Sequence, residues 1–483
     1  MNIRAISVNV GKALLVSALF MFLSIIISVL NGVDSAFTPL LLSFIITLLV
    51  GSFPFIFVRK SPALTMKDGF LTIIIAWILS FVFGMLPYVL WGGEFTLVNA
   101  WFESVSGYTT TGSTILNDIE ALPKSLLFWR SSTHYIGGLG VVVFLLLVIP
   151  EASPYRLKLT NMEMSSLSKE GYRYKSTKVV QVITVVYLGL TLVSTLLLWA
   201  AGMPLFDAVN HAFSIAATGG FSTKNLSIGY FQSDLINTIA MVFMALAAMH
   251  FGLIYAVFAT RSLKPLNNTV VKYYIGSIAV MSLIIMFSLM SDGGYDSWGK
   301  AWIDASFNVV SYMSTTGFAT CDNSSWPYLA GVILMMAGIQ CGCSGSTTGG
   351  LKVDRIIISF KAISTEIRRR LHPSSVSQVR MSGHHLPDSA VSSVFLYIVV
   401  YVMVIFVSVL AVILCGSEPV EAISGVISSV GSVGPGLGGV ASLENYSMQP
   451  EMSKLIFSFD MFLGRLEIFP VFIVISMIFK REK

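Results

Sequence analysis

The chain has 483 residues, of which 55% are hydrophobic and 11% charged, whereas about a quarter of the residues of soluble domains are charged. Apolar, almost charge-free stretches recur throughout and lack the polar faces that helices of a soluble protein need, which excludes that class. The net charge of +5 follows from basic loops on one side of a membrane and does not indicate nucleic-acid binding. We predict a polytopic α-helical membrane protein.

Ten stretches approach or exceed the roughly 20 apolar residues that cross a bilayer. They are 13–30, 36–58, 69–93, 131–150, 179–206, 235–260, 273–291, 325–351, 391–417 and 455–479. The first is expected to be a retained helix, because a poor cleavage context follows it and a second span begins almost at once. The last differs from the others in containing three charged residues.

The orientation of the chain follows from its lysines and arginines, which concentrate in cytoplasmic loops. With the N-terminus inside, the outer segments hold five basic residues, Arg465 lies within a span, and the other 24 of the 30 Lys and Arg fall inside. The five are Lys124, Arg130, Lys224, Lys300 and Lys454. We therefore expect both termini to be cytoplasmic. The basic cytoplasmic segments 151–178 and 361–390 are the expected docking surface for a partner.

Four short Gly/Ser/Thr segments interrupt the apolar sequence at 108–115, 216–223, 313–320 and 430–437, and we call them the glycine segments. Their aligned glycines are Gly112, Gly220, Gly317 and Gly434. An alanine lies twelve residues before each of these glycines and a serine six residues before it. A polar or acidic residue suited to the start of a helix precedes each alanine, at Asn99, Asp207, Asp304 and Glu421. Agreement at so many positions indicates an internal repeat.

Each repeat is predicted to contain a spanning helix, a helix of about twelve residues, a glycine segment and a second spanning helix. Twelve helical residues cover only ~18 Å, so the short element is a re-entrant half-helix. The glycine segment is then non-helical backbone at membrane depth, which is tolerated only where it is buried in protein or lines a watery cavity. Ordinary Gly/Ser-rich turns are the weaker interpretation, because four occur in register.

Four such segments can surround one axis, where backbone carbonyls replace the hydration shell of a monovalent cation. The glycine segments carry no carboxylates, which favours K⁺ or Na⁺ over Ca²⁺ or Mg²⁺. We expect K⁺ ions in this filter and no organic cofactor. The predicted ion-binding residues are Thr110, Thr111, Gly112, Thr218, Gly219, Gly220, Thr315, Thr316, Gly317, Ser432, Val433 and Gly434.

Residues 340–351 read QCGCSGSTTGGL and interrupt the helix that follows the third glycine segment. Each interior glycine costs a helix about 1 kcal/mol relative to alanine, so this stretch is not expected to stay helical. We interpret it as an intramembrane gating loop beneath the filter. The glycines assigned to gating are Gly342, Gly345, Gly349 and Gly350. A glycine-rich helix-packing face is the alternative.

Arg465 lies within the last predicted span, where an arginine costs on the order of 2.5–3.5 kcal/mol on insertion scales. Asp460 and Glu467 are at offsets that do not bring side chains together on a helix. We expect Arg465 to face the ion pathway, oppose cation occupancy and take part in gating. A salt bridge to another helix, which Glu467 could form itself, is the alternative.

The glycine segments, GCSGSTTGGLKVDR at 342–355 and GRLEIFP at 464–470 resemble the Trk/Ktr/HKT superfamily of potassium transporters, and within it the TrkH family. The two spans before the first repeat favour TrkH over Ktr-type members. The resemblance implies a pseudo-fourfold K⁺ pore, a homodimer in the bacterial inner membrane, and a cytoplasmic TrkA-type ring of nucleotide-binding regulatory subunits. Glycine at all four aligned positions favours K⁺ over Na⁺ within the superfamily.

The predicted fold is therefore an all-α polytopic membrane protein with four helix–half-helix–helix repeats around one pore. The domains are an N-terminal helix pair (1–62) and repeats at 63–155, 156–265, 266–380 and 381–483. The repeat at 266–380 includes the gating loop.

The predicted function is gated K⁺ uptake, without an enzymatic activity. An H⁺- or Na⁺-coupled cation symporter is the alternative, although such proteins usually show paired repeats and midplane acids. A membrane-embedded hydrolase would need a Ser/His or metal-ligand pair on facing helices, and the histidines do not form that pattern. His134 and His250 are more plausible as packing residues than as proton carriers.

Overall fold

A computed structural model of the chain describes residues 2–58, 65–148, 176–373, 378–381 and 384–479. Two long helices come first, α1 (Ile3–Leu30) and α2 (Phe37–Phe57). They pack closely at two glycines, since a Cβ built on Gly11 would lie 2.6 Å from the Gly51 carbonyl oxygen. Small residues let the backbones of membrane helices approach in this way.

The first two repeats follow in the order that the sequence predicts. The first contains α3 (Met66–Gly84), α4 (Leu86–Trp91), α5 (Leu97–Thr109) and α6 (Lys124–Val148). The second contains α7 (Ser176–Ala200), α8 (Leu205–Ala217), α9 (Asp234–Ala247) and α10 (Phe251–Thr260).

The last two repeats have the same order of elements. The third contains α11 (Thr269–Asp292), α12 (Trp298–Met313), α13 (Tyr328–Gln340) and α14 (Val353–Leu371), followed by the two-residue strands β1 (Arg380–Met381) and β2 (His384–His385). The strands form an antiparallel pair. The fourth contains α15 (Asp388–Leu414), α16 (Pro419–Gly431), α17 (Glu451–Arg465) and α18 (Phe469–Phe479).

The short helix of each repeat is too short to cross a membrane. Helices α5, α8 and α16 have 13 residues each and α12 has 16, which correspond to ~20–24 Å. Their C-terminal halves are buried in protein, apart from the partly buried Phe213 of α8 and Ile427 of α16. The four predicted half-helices are therefore confirmed. The polar or acidic residue predicted near each N-terminus is in the first turn at Asn99, Asp207 and Glu421, but Asp304 is further along because α12 begins at Trp298.

Six described helices are long and apolar enough to span a membrane, and a seventh span is formed if the bent pair α9–α10 is counted as one. Two predicted spans are broken in the structure. The stretch 235–260 is broken between α9 and α10 with a bend of 102°. The stretch 455–479 is broken between α17 and α18, where Glu467 and Ile468 have positive φ angles of 60° and 52°. The stretch 325–351 ends as a helix at Gln340, in agreement with the prediction that 340–351 is not helical.

The N-terminal helix pair packs against the first repeat and not around a separate core. Helix α1 contacts α3 and α6, and the Tyr108 hydroxyl of α5 donates a hydrogen bond of 2.8 Å to Ser17 Oγ of α1. A half-helix is thereby attached to the N-terminal pair. The proposed domain boundaries at 62–63 and 155–156 lie outside the described residues.

Candidate ion-conduction site

The four glycine segments share one backbone conformation. Two residues before each aligned glycine the chain enters the left-handed region, with φ of 54° at Thr110 and 55° at Thr218, Thr315 and Ser432. The glycines themselves have φ of 85°, 87°, 76° and 103° in chain order. Glycine adopts such angles without the steric cost that a Cβ brings. The fourfold repeat predicted from the aligned glycines and their spacing is therefore also a repeat of conformation.

The six-residue spacing from the upstream serine to each aligned glycine coincides with a shared backbone hydrogen bond. In each repeat, the carbonyl oxygen of that serine accepts a hydrogen bond from the backbone N–H of the residue just before the aligned glycine. The four bonds are Thr111 to Ser106 (3.0 Å), Gly219 to Ser214 (2.8 Å), Thr316 to Ser311 (2.9 Å) and Val433 to Ser428 (2.9 Å). This closure uses a half-helix carbonyl that would otherwise lack a helical partner, as in Schellman-type helix ends.

The aligned glycines connect the four segments into a closed ring. A Cβ built on any of them would collide with the carbonyl oxygen of the residue before the glycine in the next repeat. The pairs are Gly112 with Gly219, Gly220 with Thr316, Gly317 with Val433, and Gly434 with Thr111. The last pair returns to the first repeat, so four backbones from distant parts of the chain surround one axis.

One side of this ring opens into a cavity of about 90 Å³ that all four aligned glycines line. Asn117, Arg130, Lys224 and Tyr446 also contribute to its wall. We call it the four-glycine cavity.

The loops around this cavity are joined by polar contacts near its rim. Lys224 Nζ lies 3.2 Å from Glu120 Oε2, and Asn225 Nδ2 donates a hydrogen bond of 2.8 Å to Asp118 Oδ1. The hydrogen bond from Asn225 lowers the pKa of the exposed Asp118 carboxyl.

The predicted ion-binding residues are brought together, but their side chains are not equivalent. The six Thr and Ser side chains among them are fully buried. Thr218 Oγ1 donates to the Ala217 carbonyl at 2.7 Å, whereas Thr316 Oγ1 is bonded to Ser314 Oγ at 2.8 Å. Val433 has no hydroxyl. The feature common to all four segments is their backbone, which makes carbonyl oxygens the candidate ligands.

Residues 341–352 form the predicted non-helical loop between α13 and α14. The loop contacts the C-terminal ends of three half-helices. Thr347 Oγ1 donates to the Ala216 carbonyl at 3.1 Å, and Gly349 N–H donates to Thr315 Oγ1 at 3.4 Å. A Cβ on Gly349 would lie 2.7 Å from the Gly431 carbonyl oxygen. The loop contacts residues that come before the aligned glycines in the chain, whereas the four-glycine cavity is lined by the glycines and residues after them. The loop and the cavity therefore lie on opposite sides of the ring.

The break between α9 and α10 is where the 341–352 loop docks. Cys343 N–H donates to the Ala248 carbonyl at 2.9 Å, and Phe251 N–H donates to the Gly345 carbonyl at 3.1 Å. These two bonds use backbone groups at the helix break, which explains why the apolar 235–260 stretch does not continue as one helix. The His250 ring occupies the position that a Cβ on Gly345 would take.

Arg465 lies at the end of α17 and reaches the 341–352 loop. Its side chain is 3% exposed, and its Nη1 donates a short hydrogen bond to the Thr347 carbonyl. In the described part of the chain, its Nε and Nη2 have no hydrogen-bond partner. The two predicted gating elements, Arg465 and the loop, are thus in direct contact, which sequence spacing alone did not indicate.

Glu467 forms salt bridges to another helix, which the sequence analysis considered as an alternative partner arrangement. Its carboxylate binds Lys352 Nζ at 2.9 Å and Arg355 Nη2 at 2.8 Å. The Arg355 guanidinium also lies 3.8 Å from the centre of the Tyr397 ring. Glu467 therefore ties the break between α17 and α18 to the start of α14, directly after the loop.

Sequence reasoning missed a buried ion pair between Glu103 and Arg130. Arg130, predicted to lie in an outer loop, is inside α6 and 1% exposed, and its Nη2 is 2.7 Å from Glu103 Oε1. The signal was present as one acidic and one basic residue in neighbouring apolar segments of the same repeat. Among the described residues, no group of three or more His, Cys, Asp or Glu side chains could hold a metal ion.

These features define a class of protein: a polytopic membrane protein in which four half-helices and their glycine segments enclose one axis. The chain matches the family model described as "TrkH: Cation transport protein" over residues 39–290 and 294–483. It belongs to the TrkH family of cation transport proteins. Transport, as opposed to catalysis, is thereby confirmed as its class of activity.

Relatives resemble the chain over most or all of its length. It is 33% identical to the Trk system potassium uptake protein TrkH of Escherichia coli (strain K12), with all of both chains covered. It is 34% identical to the Trk system potassium uptake protein TrkG of the same organism, with 91% of each covered. The crystal structure of the potassium transporter TrkH from Vibrio parahaemolyticus matches with a TM-score of 0.89 at 31% identity, covering 100% of both chains.

Proposed function

We propose that this protein mediates potassium uptake across the bacterial inner membrane through a filter formed by the backbone carbonyls of the glycine segments. The observation that carries the proposal is the closed ring in which each aligned glycine meets a carbonyl of the next repeat. Carbonyl rings of this kind replace the hydration shell of K⁺. The names of its relatives as potassium uptake proteins support the same cation.

Electrostatics favours a cation at this ring. The four half-helices end at the glycine segments, and the C-terminal end of a helix carries a partial negative charge. The twelve ion-binding residues proposed from sequence carry no ionised side chain. Selection then depends on backbone dipoles, which suits monovalent cations.

The 341–352 loop is the proposed gate. Its two docking bonds to the α9–α10 break and its contacts below three half-helices fit a segment that blocks the pathway when docked. Gly345 and Gly350 have φ of 80° and 69°, while Gly342 and Gly349 leave no room for a Cβ. Arg465 acts as a latch that bonds the loop and adds a positive charge beneath the filter.

Replacing Gly345 with alanine is expected to raise basal K⁺ flux several-fold. The positive φ disfavours alanine by roughly 1–2 kcal/mol, and the added Cβ would displace the His250 ring, so the docked loop loses stability. Flux into liposomes measures the effect. Gly293→Ala is the matched control, because that glycine has a similar φ of 78° and open space around it; equal flux in the two variants would contradict the docking role.

Orientation and partners complete the proposal. The basic loops support cytoplasmic termini. In that orientation the four-glycine cavity faces outward. The proposed repeat boundaries are 62–63, 155–156, 265–266 and 380–381. We further propose a homodimer controlled by a cytoplasmic TrkA-type ring that docks on 151–178 and 361–390. Residues 151–175 lie outside the described part of the chain.

Cation flux into liposomes that contain the purified protein alone tests the proposal. Uptake of K⁺ and Rb⁺ driven only by their own gradients, with less uptake of Na⁺, is the expected result. Uptake that requires an imposed H⁺ or Na⁺ gradient would overturn passive permeation and establish the coupled symporter. Equal uptake of all three cations would contradict the filter.

A further inference from the structure

The ion pair between Glu103 of α5 and Arg130 of α6 is almost completely buried behind the glycine segments. The two side chains are 0% and 1% exposed, and Arg130 Nε and Nη2 both lie within 2.8 Å of Glu103 Oε1. Removing two charges from water is costly, and the attraction between them offsets that cost only with good geometry and further hydrogen bonds. The further bonds of this pair all go to the glycine segments.

On one side the pair holds the first glycine segment. Glu103 Oε2 accepts a hydrogen bond from Ile115 N–H at 3.1 Å and one from Thr114 Oγ1 at 3.1 Å. Arg130 Nη2 donates to the same Thr114 Oγ1 at 3.3 Å. Thr114 lies two residues after Gly112, so the pair fixes the backbone where it leaves the proposed filter.

On the other side Arg130 holds the second glycine segment. Its Nη1 donates to the Ser222 carbonyl at 3.3 Å, and its guanidinium lies 4.0 Å from the centre of the Phe221 ring. These residues directly follow Gly220. One helical turn further along α6, the His134 ring stacks on the same phenyl ring at 4.0 Å. A single face of α6 therefore sets the position of the second segment.

Around the other glycine segments, the contacts between repeats in the described chain are neutral. Gly229 N–H donates to the Ala319 carbonyl at 3.0 Å between the second and third repeats. The Tyr312 hydroxyl donates to the Gly436 carbonyl at 3.3 Å between the third and fourth. Ser113 Oγ donates to the Gly434 carbonyl at 3.0 Å between the fourth and first. The Glu103–Arg130 pair bridges equivalent positions of the first two repeats with charge-assisted bonds, which are roughly twice as strong as neutral ones.

We infer that Glu103 and Arg130 are positioning residues that set the separation of the first and second glycine segments and thereby sharpen discrimination among monovalent cations. The inference rests on the proposed function, since it gives these residues a role in shaping the carbonyl filter. The planar guanidinium reaches Glu103, Thr114 and Ser222 simultaneously, which a lysine ammonium cannot do because it is a compact point charge.

Arg130→Lys is the decisive variant because it keeps the buried pair neutral while it removes the planar fork. Loss of charge-assisted bonds to both segments is expected to lower the K⁺ over Na⁺ permeability ratio about tenfold. Tracer flux into liposomes gives the ratio for each cation, normalised to the amount of folded protein. A purely structural pair would change that amount and leave the ratio unchanged.

A second variant covers the case in which Arg130→Lys does not fold. The double substitution Glu103→Leu with Arg130→Met removes both charges together, and buried pairs replaced by apolar residues of similar volume often retain stability. The same loss of selectivity is expected. Glu120→Gln is the control, because it alters an ion pair between partly exposed side chains at the rim and should keep the wild-type ratio.

Measuring Gly112→Ser in parallel separates the two levels of the proposal. A wild-type ratio in the folded Arg130 variants, with a reduced ratio in Gly112→Ser, would overturn the positioning role and leave the filter intact. Wild-type ratios in all of them would overturn the filter itself. A reduced ratio in Glu120→Gln as well would show that selectivity follows the charge at the cavity and would also overturn the inference.

Discussion

Gly112→Ser is expected to reduce the K⁺ over Na⁺ permeability ratio by about tenfold or more, since misplacing one ring of carbonyl ligands changes the ion's coordination. Gly112 has φ of 85°, which a serine adopts at a cost of roughly 1–3 kcal/mol. The new Cβ would also collide with the Gly219 carbonyl oxygen. Either the first or the second glycine segment must move, and both supply proposed ion ligands.

The permeability ratio is measured from bi-ionic gradients across liposomes or planar bilayers. Gly293→Ser separates backbone strain from carbonyl displacement, because Gly293 has a similar φ of 78° but nothing within 4 Å of an added Cβ. We expect it to keep wild-type selectivity. A folded Gly112→Ser protein with an unchanged ratio would contradict the assignment of Gly112 to the filter.

The sequence predicted the repeat, the half-helices and the glycine positions because each of these depends on local backbone requirements. A glycine that must adopt positive φ, and a half-helix that ends three or four residues before it, leave a nearly constant spacing in the chain. The closure of the four segments into a ring could not be predicted from local sequence patterns. Closure between Gly434 and Thr111 joins residues more than 300 positions apart, and no local pattern encodes it.

The wrong span predictions have a common physical cause. Hydropathy describes side chains, whereas the break at 248–250 arises from backbone bonds to a loop a hundred residues later. The break at 466–468 likewise coincides with Glu467, whose partners Lys352 and Arg355 belong to the third repeat. Arg130 was assigned to a loop for the same reason, since its partner Glu103 lies in another helix.

These long-range contacts converge on the 341–352 loop and its flanks. The loop bonds to the α9–α10 break, Glu467 binds Lys352 at its end, and Arg465 bonds to Thr347 near its middle. Elements of the second and fourth repeats therefore hold a segment of the third repeat beneath the ring. A movement of α14, which continues from the loop, would be transmitted to all of these contacts.

Arg465→Gln is expected to raise basal K⁺ flux by about tenfold to a hundredfold. A hydrogen bond from a charged group contributes roughly 1.5–3 kcal/mol, and its loss from the docked state alone shifts a two-state gate by the corresponding factor. Removing the positive charge beneath the filter also lowers the barrier for a cation. Flux per folded protein in liposomes, without any regulatory partner, measures the sum of the two effects.

Arg465→Lys distinguishes the effect of the hydrogen bond to the loop from the effect of the positive charge. Lysine keeps the positive charge but lacks the planar fork that reaches the Thr347 carbonyl. High flux in both variants would identify the hydrogen bond to the loop as the main restraint. High flux in the glutamine variant alone would assign the restraint to charge and leave the loop to be held by its bonds to Ala248 and Phe251. Unchanged flux in both folded variants would contradict a gating role for Arg465.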